Sequence, residues 1–205
     1  MQTEKGRSIE DASMRMIEAE VGPHGFDELE WPIVRRVIHT TADFDFAGSN
    51  AVVFSKNAIK SGIGALKGGC NIVVDVSGVA AGMNKQNPKD YGNEIVCRIS
   101  DEDVMRTARR EGKTRSQICM RMSAEQINGG VVAVGNAPTA LLEVIGMIRE
   151  GVAEPALVIG IPVGFIRAAE SKEELQNTET EFISNTGRKG GSAVAAAIIN
   201  ALYRL

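Results

Sequence analysis

The sequence predicts an α/β fold: a doubly wound, mainly parallel sheet with helices on both faces. Three observations point there. Short apolar runs such as "NIVVDV", "VVAV" and "ALVIG" are continuous rather than alternating, as strands buried on both sides require. These runs alternate with segments of helical length. Aromatic residues are only 4% of the chain, against 22 glycines, so the core must be built from Val, Ile, Leu, Ala and Met.

The elements follow in order. Ser8 precedes "IEDASMRMIEAEV", where Ile9, Met16 and Ile17 keep helical spacing and Ser8 with Asp11 reads as a capping box. "GPHG" breaks the chain. "DELEWPIVRRVIHTT" is a second helix if Pro32 lies in its first turn, and His39 then falls at or just past its end. "AVVFS" is a strand, "KNAIKSGIGALKGG" a helix and "NIVVDV" a strand, while "VAAGM" is ambiguous. "NEIVCRI" is a further strand candidate. Ser100 is placed to cap "DEDVMRTARREG", and "RSQICMRMSAEQIN" reads as one helix. "GGVVAVGNAPTALLEVIGMIREG" is a strand, a tight loop and a helix; "PALVIGIPVGF" is a buried strand and a loop. "SKEEL" starts a short helix, and "GGSAVAAAIINALYRL" ends the chain as another. No internal repeat or low-complexity linker interrupts this order, so the 205 residues are expected to form one domain, 1–205.

A formal charge of −3 argues against nucleic acid as a partner, so anion binding must be local. Cys70, Cys97 and Cys119 are odd in number and lack CxxC spacing, against both a disulfide framework and structural zinc, and in favour of a reducing cytoplasm. The charged N-terminus lacks the apolar stretch of a signal peptide, and no run reaches the roughly 18 apolar residues of a membrane span.

Ligands of such folds sit beyond the carboxyl ends of the strands. In "VAVGNAPTALL", Asn136 can cap a helix with Pro138 in its first turn, and the free N–H groups offer an anion seat. In "NTGRKGGSAVAAA", Gly187, Gly190 and Gly191 allow close backbone approach, Arg188 and Lys189 bring charge, and Ser192 begins a helix. Phosphate-loop spacing is absent. In "GKTRSQI", Arg115 follows Lys113 and Thr114 and could hold a carboxylate bidentately, or be an ordinary solvated arginine. His39 heads "HTTADFDFA". Metal binding with Asp43 and Asp45 lacks further ligands of recognisable spacing. His39 is then either a structural residue at a helix end or an acid–base group, since histidine titrates near about 6.5.

The segments "VRRVIHTTADFDFA", "GNEIVC", "KTRS", "VVAVGNAPTALLEV", "PALVIGIPVGFIRAAESKEEL" and "GRKGGSAVAAA", in this order, resemble the precorrin-8X and cobalt-precorrin-8 methylmutases over nearly the whole chain. The resemblance implies a flavodoxin-like fold, a homodimer with its active site near the interface, and no cofactor or metal. It also implies a tetrapyrrole substrate whose methyl group moves from ring carbon C11 to C12, giving hydrogenobyrinate or its cobalt form. The family's catalytic histidine matches His39, its first-helix serine matches Ser13, and the arginine of its "TRS" motif matches Arg115. Such a substrate is an apolar ring fringed with carboxylates. Thr114, Arg115, Asn136, Thr139, Arg188, Gly191 and Ser192 are therefore expected to bind it at three helix starts. Asp43 is a candidate for orienting His39. Two other readings stand beside this one: a corrinoid-delivery protein without catalysis, and a nucleotide-binding α/β enzyme.

Overall fold

The computed structural model describes residues 3–205. Two helices come first, α1 (Glu4–Val21) and α2 (Glu30–Thr41), followed by a 3-10 turn at Phe44–Ala47. Then come β1 (Val52–Phe54), α3 (Ala58–Lys67), β2 (Ile72–Val74), α4 (Ser77–Gly82), α5 (Gln86–Tyr91) and β3 (Ile95–Val96). They are followed by α6 (Glu102–Glu111), α7 (Arg115–Arg121), α8 (Ala124–Ile127), β4 (Val131–Val134) and α9 (Pro138–Arg149). The chain ends with β5 (Leu157–Gly160), α10 (Ala168–Gln176), β6 (Phe182–Asn185) and α11 (Ser192–Leu202).

The strands form one sheet in the order β1-β6-β5-β4-β2-β3. Every pair is parallel except β1 with β6, where Val53 faces Ser184. The five parallel strands have the 2-1-3-4-5 order of flavodoxin-like folds. Residue alternation divides the core. Val131 and Ala133 point into an apolar cluster with α2 and α11, and Val132 and Val134 into another with α7 and α9. All four residues of β4 are buried, which is why its sequence shows no alternation.

Several element limits differ from the sequence expectation. Helix α1 starts before Ser8, and its cap is Thr3, whose hydroxyl accepts from Gly6 N–H at 3.1 Å. Asp101, not Ser100, occupies the N-cap of α6. The run 115–128 is two helices, with buried Ser123 between them donating to Cys119 C=O at 2.8 Å. "VAAGM" resolves as part of α4. Pro32 lies in the first turn of α2, and His39 in its last.

Candidate active site

Helix α2 packs on α11, and its C-terminus lies against the segment that leads into α11. Its end is made by Ala42, a non-glycine residue at φ 52°, whose N–H reaches Ile38 C=O at 2.7 Å. A left-handed alanine costs roughly 1–2 kcal/mol, so this turn is held by its surroundings. The holding contacts are on the following residues. Asp43 accepts from Asp45 N–H at 3.1 Å, capping the 3-10 turn, and its other carboxylate oxygen accepts from Lys189 at 2.7 Å. Lys189 also donates to Asp45 at 2.6 Å. Hydrogen bonds to Asp43 and then Asp45 raise the Lys189 pKa, and the same lysine holds Asp45 below the usual carboxylate range. Asp43 is therefore engaged by Lys189 and the 3-10 turn, and no hydrogen bond joins it to His39.

His39 lines a cleft of about 260 Å³ between α1 and α2, with Ser13, Met16, Ile17, Glu20, Ile38, Ala42 and Phe44. Ser13 and His39, 26 positions apart, thus meet in one site. The Ser13 hydroxyl donates to Ile9 C=O at 2.9 Å, leaving its lone pairs available. Among the described residues the His39 ring has no hydrogen-bond partner. A neighbouring depression of about 330 Å³ shares Glu20 and Phe44 with this cleft.

The second expected seat, at the start of α9, differs from the expectation. The N-cap of α9 is Ala137, not Asn136, no side chain caps the helix, and the turn before it is held by Asp75, which follows β2. The fully buried Asp75 carboxylate accepts from the N–H groups of Gly135 at 3.0 Å and of Asn136 and Ala137 at 2.8 Å each. Burial pushes its pKa up despite these three bonds. Strands β2 and β4 are the pair at which the strand order reverses, so Asp75 fills the position where folds of this topology commonly bind ligands. The protein supplies its own anion there. Asn136 is exposed beside it, and Thr139 hydrogen-bonds Thr114 at 3.0 Å, joining the starts of α9 and α7.

Thr114 caps α7 in a full capping box with Gln117. Arg115 is exposed in a depression of about 310 Å³ lined also by Met105, Ala108, Arg109 and Lys113. Three cations and no carboxylate face that space.

The third seat, at α11, is open. No side chain caps it, and its first intrahelical bond runs from Ala195 N–H to Gly191 C=O, so the amides of Ser192, Ala193 and Val194 precede the ladder. Gly190 is required here, since a Cβ would lie 2.3 Å from Ile161 O. Arg188 sits 5.7 Å from the Phe165 ring centroid. Phe165 and Ile166 are 87% and 83% exposed, the most exposed large apolar side chains among the described residues. Arg167, beside them, has φ 62°. The sequence reading passed over this apolar tip, and also Asp75, although an acid ending an apolar strand was a visible signal.

A family model described as precorrin-8X methylmutase matches residues 8–205. The cobalt-precorrin-8 methylmutase of Priestia megaterium is 50% identical over 200 residues, covering 98% of this chain and 88% of that protein. That of Leptospira interrogans is 46% identical, covering 99% and 95%. A crystal structure of the Thermus thermophilus precorrin-8X methyl mutase superposes with a TM-score of 0.88 at 40% identity, covering 97% of this chain and 96% of that one. With its length, sheet and motifs all matched, the chain belongs to the precorrin-8X and cobalt-precorrin-8 methylmutase family of corrin biosynthesis, and it is a methylmutase, an isomerase that moves a methyl group within one molecule.

Proposed function

We propose that this chain, as a single cytoplasmic methylmutase domain working in a homodimer, moves the methyl group of precorrin-8X or cobalt-precorrin-8 from C11 to C12, with His39 as the proton donor. The shift is intramolecular. The C11–methyl bond breaks as the C12–methyl bond forms, and no nucleophile, oxidant or external acceptor is consumed. The protein's task is to hold the macrocycle and control a proton. His39 as imidazolium donates to the ring C nitrogen, draws electron density from the C11–C12 region, and recovers its proton when the product leaves.

The observation that carries this reading is the His39 ring. It lines a mainly apolar cleft with Ser13, and among the described residues no group hydrogen-bonds its nitrogens. A half-buried imidazole whose nitrogens are not engaged is available to a ligand in that cleft. The surroundings suit the ligand. Arg188 and the open start of α11 offer one carboxylate position, and Arg115 with Arg109 and Lys113 another. In this reading Asn136, Thr139, Gly191 and Ser192, at the starts of α9 and α11, complete the ligand surface.

His39→Ala should retain product binding, read by titration of the visible absorption band, and lose about 10² to 10⁴ in turnover under anaerobic assay. Full turnover in that variant would remove His39 from the reaction. Binding without turnover by the unaltered protein would leave a delivery function instead.

A further inference from the structure

Two lysines connect in turn to the segment that follows His39. Lys172, on α10, is 0% exposed. Its ammonium donates to Asn185 Oδ1 at 2.9 Å and to the backbone carbonyl of Lys189 at 2.6 Å. Asn185, equally buried, donates from its amide to that same carbonyl at 3.0 Å. Lys172, Asn185 and the Lys189 carbonyl thus form a closed ring of three hydrogen bonds. No carboxylate bonds to Lys172, and burial pushes its pKa down to about 8. A buried ammonium received only by an amide and a peptide oxygen opposes folding, so its retention calls for a reason other than stability.

Geometry gives one. The backbone that Lys172 fixes is that of Lys189, and the Lys189 side chain reaches Asp43 and Asp45, within six residues of His39. We propose that Lys172 and Lys189 are positioning residues for His39: the buried lysine sets the backbone from which the second lysine clasps the segment that ends α2. The left-handed Ala42 lies inside the clasped segment, between His39 and Asp43. Without the clasp, that turn has less to hold it and the imidazole loses its fixed place. Small misplacements of an acid cost rate rather than binding. The inference rests on His39 being the proton donor.

The test is steady-state kinetics on four variants of the full chain with the tetrapyrrole substrate. Lys189→Met should lose about tenfold or more in kcat with KM changed less than about threefold. Lys189→Arg should recover most of the loss, because a guanidinium can bridge two carboxylates. Asp43→Asn with Asp45→Asn should match Lys189→Met, and adding Lys189→Met should cost little more. Lys172→Met should act in the same direction. Should it fail to fold, the Lys189 series, which changes a partly exposed side chain, decides alone. A raised KM with unchanged kcat in Lys189→Met would make Lys189 a substrate contact and overturn the proposal; so would unchanged kinetics. His39→Ala is run alongside. If it keeps full turnover, the acid role of His39 fails. If it is inactive while Lys189→Met is unimpaired, only the clasp fails.

Discussion

Helices α9 and α11 begin in the same way and end up with different tasks. Each follows a buried parallel strand and a glycine-bearing turn, and neither is capped by a side chain of its own N-cap residue. At α9 the turn's free amides, from Gly135 to Ala137, are taken by Asp75, a residue 60 to 62 positions earlier in the chain. At α11 no carboxylate among the described residues bonds the first amides, and Arg188 and Lys189 precede the helix in sequence. The difference shows that a helix start is an anion seat only where the fold withholds its own anion. Here the fold fills the seat at the strand-order reversal and leaves the one at β6 open. The start of α11 packs against Gly135 at the end of β4, and the Lys189 clasp just before it also holds the end of α2.

The sharpest way to break this contrast is to empty the filled seat. Asp75→Ala leaves three N–H groups without their acceptor at a buried helix start. Each orphaned donor costs about 1–3 kcal/mol, so a loss of about 3 kcal/mol or more is expected in denaturant unfolding. Formate should recover part of it, since the cavity then resembles the open start of α11. A loss well under 1 kcal/mol, or no response to formate, would mean that Asp75 does not hold the turn.

The reverse experiment fills the open seat. Ser192→Asp places a carboxylate in the first turn of α11, where it stabilises the helix by about 0.3–1 kcal/mol. The same charge should repel a polycarboxylate ligand and weaken product binding about tenfold, or about 1.4 kcal/mol. Higher thermal stability with weaker binding is the expected pair of results. Undiminished affinity would remove the α11 start from the binding surface.

Fold and site differed in how legible they were. Strands β2, β4 and β5 could be read because burial on both faces makes their sequences continuously apolar. Strand β6 could not. Its "FISN" carries Ser184 and Asn185, both fully buried, and they are tolerated because Ser184 donates to Gly160 C=O at 2.6 Å and Asn185 accepts from Lys172. Those partners come from other elements, so the local pattern holds no trace of them. The antiparallel direction of β1 is hidden for the same reason. Of the candidate residues, His39, Ser13 and Arg115 are suggested by motifs that resemble a family, and the fold brings Ser13 and His39 into one cleft. The clasp was not legible, because Lys189 is 146 and 144 positions from its two aspartates. Asparagine before a proline-led helix suggests a cap, but the N-cap position falls on Ala137, and a distant carboxylate holds the turn in which Asn136 lies.

That failure yields the smallest expected effect. With Ala137 at the N-cap and Asp75 holding the turn, the Asn136 side chain carries no helix-starting task, although its residue type and position imply one. Its side chain is exposed, and only its backbone N–H is engaged by Asp75. Asn136→Ala should therefore change unfolding free energy by no more than about 0.5 kcal/mol, as for an ordinary surface substitution, where a lost N-cap would cost about 1 kcal/mol. The variant also isolates the side chain's part in the ligand surface. With stability unchanged, any weakening of product binding belongs to a contact with the tetrapyrrole and not to a loosened helix. A loss near about 1 kcal/mol would instead show that the Asn136 side chain supports the start of α9.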